Sequence, residues 1–96
     1  MASYTIDTAK TATLTSGVPD KINFSSDNPP TSVLAEVINL DGTIILWVAI
    51  NGATAAVEGD NSVPVRPLRT FRPAADVVTL QVVASGTPKY TVRRIN

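Results

Sequence analysis

The chain has 96 residues, 44% of them hydrophobic and 17% charged, with eight Lys and Arg against eight Asp and Glu. That is the length of one domain with a single core, and the low charge argues against a disordered chain. Neither cysteine nor histidine is present, which excludes a disulfide framework, a thiolate zinc site and a thiol nucleophile, and removes the usual general base.

Met1, Ala2 and Ser3 lead directly into alternating residues, so no signal peptide is expected. No apolar run approaches the roughly 20 residues of a membrane span. Tyr4, Thr5 and Ile6 begin a short first strand. In residues 11–15, Ala12 and Leu14 point inward and three threonines outward. Residues 16–19 are turn formers, and residues 20–24 return with Ile22 and Phe24 inward. Residues 25–31 read as a loop, because Pro29 and Pro30 forbid a hydrogen-bonded ladder.

Residues 33–50 form the strongest stretch. Two apolar runs meet at Asp41-Gly42, a pair that predicts a two-residue type I′ hairpin with Leu40 opposite Thr43. That register puts Val33, Ala35, Val37, Asn39, Ile44, Leu46, Val48 and Ile50 on a core face. The other face takes Leu34, Glu36, Ile38, Leu40, Thr43, Ile45, Trp47 and Ala49. It is too apolar for a solvated surface and too mixed for a sealed core. Trp47 falls opposite Glu36, and is either a core anchor under a second sheet or an anchor buried only by a partner.

Residues 51–61 form a long irregular connection with turn formers at both ends, either a functional loop or a crossover. A helix over residues 53–57 would be too short to hold alone. Residues 62–73 are extended but interrupted by Pro64, Pro67 and Pro73, which confines them to a sheet edge. In a regular strand Arg66 and Arg72 would share one face and Arg69 the other, an assignment that a bulge near Pro67 would change. Residues 77–84 and 89–95 form a last hairpin, with Val78, Leu80, Val82, Tyr90 and Val92 on one face and Val77, Thr79, Gln81, Val83, Lys89, Thr91, Arg93 and Ile95 on the other.

These elements add up to an all-β chain, residues 1–96 making one antiparallel β-sandwich of seven to eight short strands, Ig-like or jelly-roll-like. Glu58 and Asp60 sit on a glycine-flanked loop where no burial would raise a carboxyl pKa, and calcium wants six or more oxygens. No Ser-x-x-Lys pattern and no phosphate-cradling glycine loop occurs. The expectation is a protein that is not an enzyme, with no catalytic residue, metal, cofactor or small-molecule substrate.

Charge is unevenly spread. Residues 1–65 hold Lys10 and Lys21 against Asp7, Asp20, Asp27, Glu36, Asp41, Glu58 and Asp60. Residues 66–96 hold Arg66, Arg69, Arg72, Lys89, Arg93 and Arg94 against Asp76. The fold either keeps the two signs apart, as a dipole favouring ordered association, or interleaves them. The arginines have three readings: phosphate contacts, a silent solvated edge, or an interface to an acidic protein surface. A pI near 6.1 and few aromatics weigh against nucleic acid, and arginine's bidentate pairing with carboxylates favours the protein interface.

Three stretches carry a resemblance: the threonine-rich opening YTIDTAKTATLTSG, the middle VINLDGTIILWVAINGATAAVEGDNSVPV, and the end LQVVASGTPKYTVRRIN with its Ser-Gly turn. Together they resemble the small β-sandwich virion proteins of tailed bacteriophages, especially capsid decoration (cement) proteins. The resemblance implies a protein made in the host cytoplasm and added to the capsid exterior. Its partners would be the major capsid protein and copies of itself, commonly as a trimer. Arg66, Arg69, Arg72, Trp47, Ile45, Ile38, Glu36, Arg93 and Arg94 are the expected interface residues. The alternatives are a tail or baseplate component and an Ig-like adhesion module.

Overall fold

Alternation of β-branched and polar residues gives each strand one apolar face, and burying those faces against one another requires two layers. The computed structural model describes residues 2–24, 33–73, 77 and 79–95. The strands are β1 (Ser3–Ile6), β2 (Ala9–Thr13), β3 (Asp20–Phe24), β4 (Ala35–Asn39), β5 (Leu46–Ile50), β6 (Val63–Val65), β7 (Thr70–Phe71), β8 (Thr79–Val83) and β9 (Lys89–Arg94). One sheet has the order β1-β3-β8-β5-β6 and the other β2-β9-β4-β7. Residues 62–73 divide at Pro67 into β6 and β7, edge strands of different sheets, so the described residues hold nine strands rather than seven or eight.

The pairings define the architecture. β2 pairs β9, β3 pairs β8, β4 pairs β7 and β5 pairs β6, all antiparallel. The eight strands are thus one long ribbon doubled back at residues 51–62 and rolled into two sheets, the jelly-roll winding. Stepping from Ala9 to Asp20 on one arm steps equally back, from Arg93 to Val82, on the other. The roll closes where β9 pairs β4 and β8 pairs β5. β1 is added outside this ribbon, parallel to β3.

The hairpins expected at Asp41-Gly42 and at residues 85–87 do not form, and the turn at residues 16–19 does, closed by Val18 N–H on Thr15 O at 3.0 Å, without pairing β2 to β3. β4 and β5 lie in different sheets, as do β2 and β3, and β8 and β9. Asp41 and Gly42 both lack the positive φ of a type I′ turn. Side chains direct the chain across instead. The Asp41 carboxylate accepts the N–H groups of Thr43 (2.8 Å) and Ile44 (2.7 Å). Buried Asn39 donates to the carbonyls of Ile44 (2.7 Å) and Val65 (3.0 Å). Both arrangements orient side chains alike, so most of the expected inward residues are correct: Ala35, Val37, Asn39, Leu46, Val48, Leu80, Val82, Tyr90 and Val92 are buried. Val77, expected to face outward, is buried in the core, whereas residues 25–31 and Val78 lie outside the described residues.

The core fills the space between the sheets, around Leu14, Ile22, Leu46, Leu80, Tyr90 and Val92. Besides the Asn39–Val65 contact, a side-chain pair links the two sheets through it, the Tyr90 hydroxyl donating to Asp20 Oδ2 at 2.7 Å. Burial, and then the hydrogen bond to Asp20, push the Tyr90 phenol well above its ordinary pKa of 10.

Candidate binding surfaces

Jelly-roll winding brings four connections to one end of the sandwich: residues 14–19, 40–45, 66–69 and 84–88. Main-chain hydrogen bonds join them into one surface. Gly17 N–H donates to Ala84 O (2.9 Å), Leu40 N–H to Lys89 O (3.0 Å), Asn39 N–H to Arg69 O (2.9 Å) and Leu68 N–H to Asp41 O (3.2 Å). Gly86 has φ 117°, a conformation that side-chain-bearing residues rarely adopt, and its Cα faces the tip of the Ile44 side chain at this corner.

Arg66 and Arg69 flank the tip of this surface. Arg69 N–H closes a tight turn on Arg66 O at 3.1 Å, with Pro67 and Leu68 between them. Leu68 has φ 60° and is 71% exposed. That turn position takes glycine or asparagine by preference, and a bulky residue in the left-handed region costs about 1–2 kcal/mol. An apolar side chain is therefore held out into water at an energetic cost. Leu40 and Ile45 are also exposed on this end, beside exposed Arg66, Arg69 and Lys89. Nothing in the local sequence singles out Leu68 for this conformation.

Arg72 and Arg93 do different work. On the outer face of the β2-β9-β4-β7 sheet they clamp Glu36, whose side chain is only 2% exposed. Arg72 Nε donates to Oε2 at 2.8 Å and Arg93 Nε donates to Oε1. The Arg72 hydrogen bond, outweighing burial and joined by that of Arg93, holds the Glu36 carboxyl below its ordinary range. The clamp ties the two-residue strand β7 to β4 and β9. It also joins a carboxylate of the acidic half of the sequence to two arginines of the basic half, so there the charges interleave. Replacing Arg72 together with Arg66 and Arg69 would thus damage the fold as well as any interface. Arg94 is half-buried at the far end of β9, opposite Ala35.

Trp47 is not opposite Glu36. It pairs with Val83 and Pro64 on the outer face of the five-stranded sheet. There residues 51–62 fold back over it without forming a helix, Ala55 N–H donating to Gln81 Oε1 at 3.1 Å, and buried Ala49, Ala55 and Val83 pack with Trp47. Trp47 is neither inter-sheet core nor an open anchor. It lines a shallow groove of about 280 Å³ with Thr43, Ile44, Ile45, Val57, Glu58 and Ser85. Ile38 points from the other sheet, between Thr70 and Thr91. The single contact face expected from Trp47, Ile45 and Ile38 is therefore split between opposite sides of the sandwich.

The geometry defines a jelly roll with one extra edge strand and a basic, apolar loop end. No protein family and no curated protein matches the sequence. Among solved structures, the chain is similar to the pre-peptidase C-terminal domain of a collagenase from Bacillus anthracis, with 14% identity, a TM-score of 0.46, and coverage of 98% of this chain and 93% of that one.

Proposed function

We propose that this chain is a non-enzymatic capsid decoration protein, which binds the outer surface of a phage shell and reinforces contacts between shell subunits. The loop end bearing Arg66, Leu68 and Arg69 is its docking surface. One observation carries the reading: Leu68 is held in a costly conformation, exposed, between two arginines. Strain kept at an exposed apolar residue is a mark of a binding position. Arginines beside an apolar anchor suit an acidic protein surface, where they pair with carboxylates while the anchor is desolvated. Many equivalent sites on a shell let individually weak docking events sum to firm attachment.

The test is quantitative mass spectrometry of purified virions of a phage carrying this gene. Copies comparable to the major shell protein are expected. Arg66→Ser with Arg69→Ser should lower that number while leaving the purified protein folded, since neither side chain belongs to the Glu36 clamp. A handful of copies would move the protein to the tail, and its absence from virions would overturn the reading.

A further inference from the structure

The sandwich has two unlike margins. At one, β6 carries Pro64, and β7 is two residues long between Pro67 and Pro73, so neither presents a continuous ladder. At the other lie β1 and β2. β1 is short and turns Tyr4 and Ile6 toward the core. β2 has five residues, no proline, and all but Ala12 exposed.

The hydrogen-bond phase of β2 fixes which of its groups lack a ladder partner. Arg94 N–H donates to Thr8 O, and Leu14 N–H donates to Pro88 O. Even-numbered positions therefore bond β9. Ala9, Thr11 and Thr13 aim their N–H and C=O groups away from the sheet. Lys10, the one charge on the strand, does not guard this edge with a free side chain, because its ammonium lies over the Tyr4 ring, 4.9 Å from the centroid.

We infer that two copies of this chain pair through β2, antiparallel about a two-fold axis at Thr11, joining their four-stranded sheets into one of eight. The strand is self-complementary in that register. Thr11 meets Thr11, Ala9 meets Thr13, and Lys10 meets Ala12, so no like charges stand opposite each other. All the outward main-chain groups of Ala9, Thr11 and Thr13 find partners. An isologous contact of this kind closes at two copies. A threefold assembly, which the phage resemblance implies, would instead need β2 to meet a different surface. The inference rests on the register of the sheets and not on the capsid reading, so its failure would leave that reading standing.

Light scattering on the purified full-length chain, over a dilution series from about 100 μM, reads the mass directly. Twice 10.1 kDa is expected. Thr11→Pro removes an N–H that serves only the outer edge, so it should give 10.1 kDa with an unchanged strand spectrum. Thr11→Lys sets like charges on the axis and should also be monomeric. Mixing it with Thr11→Glu should restore a mass of two copies. A monomeric parent, a threefold mass, or a dimer that survives both Thr11→Pro and Thr11→Lys would each overturn the inference. Should Thr11→Pro fail to fold, the Lys and Glu pair decides alone.

Discussion

The two margins of the sandwich solve the problem of an unpaired edge in opposite ways. The β6–β7 margin is poor in ladder hydrogen bonds and rich in proline, and β7 is held from outside by Arg72 reaching to Glu36. The β1–β2 margin keeps a regular backbone, and its neighbouring strands β3 and β9 are tied through the interior by Asp20 and Tyr90. An edge stripped of main-chain pairing needs side-chain fixings to stay in place. An edge that keeps its ladder-ready backbone is left available to a partner.

The largest effect should come from unclasping the proline margin. Arg72→Ala with Arg93→Ala leaves the Glu36 carboxylate buried without a cation and should cost about 3 kcal/mol in urea unfolding. Either change alone, with half-exposed arginines, should cost about 1 kcal/mol. A double variant no worse than the sum of the singles would show that Glu36 finds water when unclasped. On the other margin, Tyr90→Phe removes the tie to Asp20 without opening a cavity and should cost about 2 kcal/mol. Unlike the clamp variants, it should lower hydrogen-exchange protection at β3 and β9 more than at β7.

Acid should weaken the clamp on the proline margin and the Asp41 corner of the loop end. Glu36 is held below its ordinary pKa of 4.5 by Arg72 and Arg93, and Asp41 below 3.8 by the N–H groups of Thr43 and then Ile44. In each case the unfolded chain takes up the proton at a higher pH than the folded one. Both groups therefore contribute stability that is present above their ordinary values and lost as pH falls through the depressed ones. Stability should decline below about pH 4.5, and Glu36→Gln, less stable at neutral pH, should show a shallower decline. An equal slope in the variant would assign the acid loss to other carboxylates.

How much of this was legible depends on whether it was local. The inward faces of β4, β5, β8 and β9 follow from a period of two, which is blind to whether consecutive strands pair or cross between sheets. For that reason the face assignment survives an incorrect hairpin at Asp41-Gly42. The crossing itself rests on Asn39 reaching Val65, 26 residues on, and no local pattern announces it. Edge placement of residues 62–73 was readable, because proline's missing N–H is a local fact. The division of the arginines was not. Arg72 is separated from Arg66 and Arg69 only by the partnering of β7 with β4, so three evenly spaced arginines serve two purposes.

The smallest change in stability goes with the most direct test. Leu68→Gly relieves a left-handed leucine at the tip of the loop end and removes the proposed anchor in one step. The strain relief, partly offset by the freer unfolded chain of a glycine, should leave the variant more stable by about 0.5 kcal/mol, and it should attach more weakly than the parent to virions stripped of this protein. A variant that gains stability and attaches as well as the parent would contradict the assignment of that end as the docking surface.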